Sequence, residues 1–164
     1  MAQTESVKSY TGTRLIPLSE MRDQRLKTAL AVWEEKRQAR IYPARAELTP
    51  RDMKAFLPNI TLWRAVKGGT DYEYRIMGGA DVKAYGLNMT GLHVSDLDRL
   101  MPGNTSRVKK VLDYVVRKKI PVVSDGWLTT SGGLPVHHVM IFFPLGPDEA
   151  MVDHILGVSV HGGA

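Results

Sequence analysis

Apolar and polar positions alternate between residues 71 and 77, DYEYRIM, and this alternation predicts a β-strand. Tyr72, Tyr74 and Ile76 fall on one face of this strand. A second strand-like run, Asn59 to Val66, precedes it, and the KGGT segment between the two runs favours a tight turn. The pattern therefore predicts a hairpin.

Glycines mark the passage that follows this hairpin. Residues Ala80 to Tyr85 predict one short helix, with Val82 and Tyr85 on the same side, and Gly86 stands where a left-handed cap would end it. Gly91 closes the next loop. A strand followed by a short helix and an irregular loop is a common way to wall a small cavity.

An amphipathic helix is predicted from Ser19 to about Arg40. Leu26, Leu30 and Trp33 recur at helical spacing, and the opposite face carries Arg, Lys, Glu and Gln side chains. Amphipathicity alone does not identify what this stripe covers. Two interpretations stay open: the stripe packs on its own domain, or it docks on a second copy of the chain and supports a homodimer.

A wider apolar helix face is predicted between residues 104 and 119, with Asn104 as the helix cap. This face is formed by Val108, Val111, Leu112, Val115 and Val116. Its width indicates packing on a sheet.

A shorter helix is predicted to begin at Thr49 and to end before Pro58.

Three strand-like runs end the chain: Val122 to Thr130, Pro135 to Leu145 and Met151 to His161. The initial hairpin and this final meander flank a helical segment. The order predicts an α+β fold, a five-stranded antiparallel sheet with helices on one face and an N-terminal helical extension.

The composition fits one compact domain. The chain has 164 residues, of which 43% are hydrophobic. It has no cysteine, which excludes disulfides, thiolate catalysis and thiolate metal sites. The first 18 residues are polar and are expected to form a flexible arm. Neither a secretory signal nor an apolar run of about 20 residues is found, so a cytoplasmic protein without membrane association is expected.

The basic charge does not by itself indicate nucleic-acid binding. The net charge is +5 and the pI is about 9.5, but the basic residues are scattered. They include Arg22, Arg25 and Lys36 on the first predicted helix and Arg117 and Lys118 far along the chain. A solvated surface accounts for this distribution, so nucleic-acid binding is not expected.

Histidines and one serine are the candidates for metal binding or nucleophilic chemistry. His137 and His138 are adjacent in a strand, so they point to opposite faces and cannot share a metal. His137 and His161 are predicted to approach each other across the last hairpin, but no third ligand is evident, so no metal site is expected. Ser159 lies in a GVSVH segment within a strand, without the following helix that a nucleophile elbow requires.

A family resemblance adds to these patterns. Residues 74–78, YRIMG, together with Gly86 and the MTG of residues 89–91, resemble the signature of the PAS_5 family, PAS-like domains found largely in alphaproteobacteria. The PARAEL segment of residues 43–48 and the later Leu57-Pro58 pair are typical of the same family. The resemblance covers nearly the whole chain. It implies the strand order 2-1-5-4-3 and a small-molecule pocket between helices and sheet.

The resemblance divides the chain into an N-terminal helix and connector over residues 19–47 and a PAS-like core over residues 48–164. A filled core is the alternative to a pocket, because apolar spacing does not distinguish the two. The candidate pocket residues are Trp63, Tyr74, Arg75, Ile76, Tyr85, Met89, Leu97, Leu112, Val115, Val116, Trp127, His138, Met140, Phe142 and Val158.

Arg75 is the most notable charge of this set. It lies in a strand with apolar neighbours, and a buried arginine needs a partner. The partner is expected to be a buried carboxylate such as Asp81 or Asp125, and the alternative is an anionic ligand.

The resemblance also bears on cofactors. Flavin or other chromophores linked through cysteine are excluded, because the chain has none. Haem is not expected, because the helix at residues 104–119 has no histidine, although His93 leaves an opening.

The function implied is a non-enzymatic sensor or interaction module. It binds a small molecule or a partner protein and signals through contacts with a signalling protein in trans. Two alternatives stay open: a small enzyme that uses the cavity, and a basic nucleic-acid-binding domain.

Overall fold

One antiparallel sheet carries the strands of the computed structural model, which describes residues 13–162. One long helix lies between the first two strands, and three further helices lie between the third and fourth strands. The elements in chain order are β1 (Thr13–Ile16), α1 (Gln24–Arg37), β2 (Ile60–Val66), β3 (Asp71–Met77), α2 (Gly79–Tyr85), α3 (Leu97–Leu100), α4 (Asn104–Lys118), β4 (Val122–Thr129), β5 (Pro135–Leu145) and β6 (His154–His161).

The strand order is β1-β4-β5-β6-β2-β3, and neighbouring strands are antiparallel. The predicted α+β class is confirmed, and so is the order of the five predicted strands. The sheet has one strand more than predicted, because Thr13–Ile16 pairs with residues 123–126 of β4. The expected flexible arm therefore ends in an edge strand, and its first 12 residues lie outside the described residues.

The pairing of β2 with β3 contains a one-residue bulge. Leu62 lies opposite Ile76 and Trp63 opposite Tyr74, which leaves Arg75 without a cross-strand partner. One extra residue moves the next side chain to the other face of a sheet. Ile76 therefore lies on the face opposite Tyr74, among Leu62 and other apolar residues, and the prediction that they share a face is wrong.

Helices cover the two faces of the sheet. The helices α2, α3 and α4 lie on one face, as predicted, and α1 covers the other, packing on β5 and β6. Within α1, Leu26 and Trp33 are buried and Leu30 is half-buried. The Trp33 ring stacks on Phe143 with centroids 5.8 Å apart. Of the two interpretations of the α1 stripe, the structure shows packing on its own domain.

Two predicted helix starts are displaced. The helix α1 begins at Gln24, not near Ser19, because the Asp23 carboxylate accepts the Arg25 backbone N–H at 2.8 Å and caps it. A separate short turn occupies Leu18–Glu20. For α4 the cap is Gly103 at a φ of 87°, and the predicted cap, Asn104, is the first helical residue.

The short helix predicted from Thr49 is absent. Thr49 and Asp52 exchange capping hydrogen bonds, the Thr49 N–H donating to Asp52 Oδ2 at 2.9 Å. The chain nevertheless continues as turns up to the 3₁₀ segment Leu57–Asn59. A good cap is therefore not sufficient for a helix in so short a segment, because the unfavourable free energy of helix nucleation exceeds the stabilisation that one cap provides.

A substitution at Gly78 tests how closely the chain is packed between β3 and α2. A Cβ added there would lie 2.3 Å from the Pro58 carbonyl oxygen, whereas nothing lies within 4 Å of a Cβ at Gly79. We expect Gly78→Ala to lower the free energy of unfolding by about 3 kcal/mol through overpacking. Gly79→Ala is the matched control and should be neutral or slightly stabilising. Urea unfolding of both variants measures this, and equal effects would contradict the steric explanation.

Candidate functional site

A cavity lies between the sheet and the helices α2, α3 and α4. Its volume, taken as the space open to the centres of water-sized molecules, is about 60 Å³. At about 10–15 Å³ for each water, this holds about four to six waters or one small ring. The wall consists of Thr13, Thr61, Trp63, Tyr74, Tyr85, Met89, Leu97, Met101, Asn104, Arg107, Val108, Val111, Ser124, Leu128, His138, Met140 and Phe142.

Some predicted pocket residues line this cavity and others do not. Those brought together are Trp63, Tyr74, Tyr85, Met89, Leu97, His138, Met140 and Phe142. The remaining candidates on α4 belong to the packing between this helix and the sheet; they are Leu112, Val115 and Val116. Three other candidates lie on the opposite face of the sheet: Ile76, Trp127 and Val158.

Aromatic rings form the apolar part of the wall. Trp63 stacks on Phe142 with centroids 5.8 Å apart and contacts Tyr74 at 5.5 Å. Gly157 lies beneath them, where an added Cβ would meet the Met140 methyl group at 2.2 Å and the Trp63 ring at 2.8 Å. The absence of a side chain at Gly157 therefore leaves room for the Trp63 ring and the Met140 methyl group.

Buried polar atoms without a hydrogen-bond partner among the described residues point to a ligand or waters in this cavity. Those that line the cavity are Thr13 Oγ1, Ser124 Oγ and both ring nitrogens of His138. A buried polar group left unpaired costs about 1–3 kcal/mol, so such groups are expected to be satisfied by a bound molecule.

The sheet register brings these polar groups to one side of the cavity. Thr13 lies opposite Gly126, Gly126 opposite His138, and His138 opposite His161, in one row across four strands. Ser124 lies two residues along the same face of β4. The cavity therefore has a polar side near β1, β4 and β5 and an aromatic side near β2 and β3.

Burial keeps His138 uncharged. Its side chain is 4% exposed, and desolvation lowers its pKa to about 3. A neutral imidazole offers one hydrogen-bond donor and one acceptor. At neutral pH, His138 is therefore suited to a polar, uncharged group of a ligand.

A second polar cluster lies behind the cavity wall. Asp81 is fully buried and accepts hydrogen bonds from Thr61 Oγ1 and Ser159 Oγ, both at 2.8 Å. Burial raises the Asp81 pKa to about 7, and burial lowers that of His161 to about 4, so both favour neutral forms. His161 Nε2 lies 3.5 Å from Asp81 and 3.1 Å from the Tyr85 hydroxyl.

This cluster is not a hydrolase triad. In a triad the acid and the serine meet different nitrogens of the histidine ring. Here Ser159 Oγ and Asp81 Oδ1 both approach His161 Nε2, at 3.2 and 3.5 Å, and Ser159 donates to the carboxyl. Ser159 is also fully buried, so a substrate has no access to it.

The predicted partners of Arg75 are wrong. Arg75 is a surface residue that pairs with Glu73 at 2.9 Å, since the bulge turns it away from the helices. Asp81 is bound by the two hydroxyl groups described above, and Asp125 pairs with His137 at 2.7 Å. Arg75 therefore does not face the cavity.

The predicted approach of His137 to His161 is also wrong, because His138 is the residue opposite His161. Within residues 13–162, no three His, Asp or Glu side chains are grouped so as to hold a metal ion. No helix in the same range is long and apolar enough to cross a membrane.

Several wall residues were not among the candidates. Val108 and Val111 belong to the predicted apolar helix face, and Ser124 shares its strand face with Leu128, so periodicity contained a signal for them. Thr13 carried no signal, because its four-residue strand is too short and polar to be recognised. The remaining residues not predicted are Thr61, Met101, Asn104 and Arg107.

An antiparallel sheet with short helices enclosing a cavity on one face is the architecture of a PAS domain. A family model for this class, the PAS_5 PAS domain, matches residues 21–160, and the chain belongs to that family. PAS domains of this kind are sensory or signalling modules. A search of curated proteins finds no significant match.

Solved structures share this fold at low sequence identity. The Rhodobacter sphaeroides LOV protein is 12% identical with a TM-score of 0.50, over 87% of this chain and 69% of its own. The PAS domain of Bordetella pertussis BvgS is 16% identical with a TM-score of 0.51, over 65% of this chain and 79% of its own. A LOV domain studied with a flavin analogue is 15% identical with a TM-score of 0.51, over 68% and 84%.

Proposed function

We propose that this PAS domain is a non-enzymatic sensor that binds a small, largely apolar molecule in the cavity and signals through protein contacts. One observation carries the proposal: three polar side chains of an otherwise aromatic and apolar cavity, Thr13, Ser124 and His138, lack partners within residues 13–162. Such groups cost stability unless a bound molecule satisfies them. A ligand with a ring and one or two polar groups meets both requirements.

The size of the cavity restricts the ligand. About 60 Å³ is well below the several hundred Å³ typical of sites for drug-sized molecules. A single small ring fits, whereas the three fused rings of a flavin do not fit this arrangement of the wall. The chain also has no cysteine, so a cysteinyl adduct is excluded.

The cavity also lacks the arrangement that acid–base catalysis requires. His138 is a buried and neutral histidine of the wall, burial raises the pKa values of the wall phenols Tyr74 and Tyr85, and no carboxylate belongs to the described wall. General acid–base catalysis by histidine depends on a second group that orients or supplies the proton. This supports a binding function rather than turnover.

Signalling through a second protein, and through a homodimer, belongs to the same proposal. The α1 stripe is covered by its own sheet, so a dimer uses another surface. Ligand binding biases such contacts only if the ligand has different affinities for the two arrangements. Sedimentation with and without ligand compares the two states.

Phenol serves as a probe that combines one ring with one polar group. We expect the wild-type protein to bind phenol with shifts confined to cavity residues in NMR spectra. His138→Phe should weaken phenol binding at least about tenfold, because it removes the buried partner for the hydroxyl and fills space.

The matched control is His137→Phe, because His137 lies one residue away and on the opposite face of the sheet. It should leave phenol binding unchanged. If the wild-type protein shows no saturable binding, or if both variants lose it equally, the cavity is not the binding site.

A further inference from the structure

The cavity adjoins a groove on the surface between β1 and α4. Thr13, Arg107 and Val111 belong to the walls of both spaces and mark the boundary between them, which is called the mouth below. The groove is about 580 Å³ by the same measure of volume. A ligand that extends past these side chains reaches the groove and solvent.

The groove has an apolar floor and a positively charged side. Leu15 and Tyr114 contribute apolar surface, and Leu15 is 45% exposed. Arg107 and Lys110 supply the charge, and the described residues of the groove wall include no carboxylate. The groove therefore favours an anion over a cation.

Contacts of the neighbouring residues hold this charge in place. One Arg107 nitrogen donates to the Trp127 carbonyl oxygen at 2.8 Å, which fixes the guanidinium beside the mouth. The acid on the same helix, Asp113, accepts a hydrogen bond from the Lys109 ammonium group and another from the Tyr72 hydroxyl, both at 2.6 Å. Asp113 is therefore engaged by groups other than Lys110.

We infer that the ligand of this domain is a small amphipathic anion, whose apolar body occupies the cavity and whose carboxylate or phosphate lies at the mouth between Arg107 and Lys110. This inference rests on the cavity being the ligand site. Hydrogen bonds from cationic donors to an anion are stronger than those between neutral groups. At the mouth the anion also keeps part of its water, so it avoids the cost of full burial.

Phenylacetate and phenylacetamide test this inference, because they share one ring and one chain length and differ in charge. By calorimetry at low salt, phenylacetate should bind about tenfold more tightly than phenylacetamide. Higher salt should reduce this ratio, since the mouth is open to solvent. Benzyl phosphate, compared with phenylacetate, shows which of the two anionic groups the mouth prefers.

Lys110→Gln and Arg107→Gln should each bring phenylacetate affinity close to that of phenylacetamide, and Lys110→Gln should leave phenylacetamide affinity unchanged. Lys109→Gln is the control, because it removes the same charge from the same helix outside the groove wall, while Asp113 keeps its hydrogen bond from the Tyr72 hydroxyl. Lys110→Gln carries the test by itself if loss of the Arg107 contact with Trp127 unfolds the protein.

The outcomes separate this inference from the function on which it rests. Equal affinities for the acid and the amide, or a ratio that Lys110→Gln does not change, would overturn the anion site and leave the cavity as a site for neutral molecules. Absence of binding by phenylacetate, phenylacetamide and phenol alike would overturn both.

Discussion

Replacing Asp81 with asparagine should stabilise this protein at pH 8 by up to about 4 kcal/mol and leave its stability nearly unchanged at pH 4. The carboxyl has no exposed surface, and burial raises its pKa to about 7 from an ordinary value of 3.8. Above pH 7 the folded protein therefore contains a buried charge beside two hydroxyl groups and a neutral imidazole. Asparagine has nearly the same shape and never carries that charge.

The direction of the pH dependence follows from the two pKa values. The folded state holds the Asp81 proton more tightly than the unfolded state, so this stabilisation is fully present below pH 3.8 and is lost as pH rises through about 7. His138 and His161 act in the opposite direction, because their lowered pKa values destabilise the folded state as pH falls below about 6.5. Their effects are largely shared by wild type and variant and so nearly cancel in the difference.

Urea unfolding at several pH values between 4 and 8 measures this difference. Asp71→Asn is the matched control, since Asp71 is also buried but has a lowered pKa. Burial is the largest single influence there and raises the pKa, but it is outweighed by hydrogen bonds from Ser95 and Tyr72 and by the nearby His93. Asp71→Asn should therefore destabilise the protein, and more so above pH 4. Stability curves that run parallel for Asp81→Asn and wild type would contradict the raised pKa.

Replacing Trp33 with alanine should lower the free energy of unfolding by about 3–5 kcal/mol. The ring is 3% exposed, it stacks on Phe143, and its Nε1 donates to the Pro144 carbonyl oxygen at 3.0 Å. The substitution leaves a cavity between α1 and the sheet and an unpaired carbonyl group. Equilibrium unfolding by denaturant provides the measurement.

Two comparisons distinguish packing within one chain from packing between copies. Leu30→Ala, at a half-buried position of the same helix, should cost clearly less than Trp33→Ala. The loss caused by Trp33→Ala should also be the same at low and high protein concentration, because a contact within one chain does not depend on mass action. A loss that grows with dilution would instead assign the stripe to a dimer.

The secondary structure followed largely from local periodicity, and one exception depends on a partner that is distant in the chain. The hairpin, the wide face of α4 and the final meander were predicted because period-two and helical spacing are strong in those segments. The strand at Thr13–Ile16 was not predicted, since the strand that pairs with it, β4, lies more than 100 residues away in the chain. The helix expected at Thr49 failed for a local reason, its short length.

In the candidate site, too, residues placed by local periodicity were predicted, and residues placed by contacts between distant strands were not. Trp63, Tyr74 and Phe142 were found because strand alternation places them on the face of the helices. Ile76 was assigned to the wrong face of the sheet. A bulge depends on the register between two strands, and the alternation within a single strand does not indicate it. The polar side of the cavity was mostly missed, since it exists only where β1, β4 and β5 stand side by side.

The alternation of β6 makes this strand a shared boundary between two layers of the protein. Ser159 and His161 point towards α2 and its buried carboxyl, whereas Val158 and Val160 point towards the layer that contains α1. The separation between these layers is therefore a single thickness of backbone. A shift of β6 by a fraction of an ångström displaces contacts on both sides at once, so the two layers cannot relax independently.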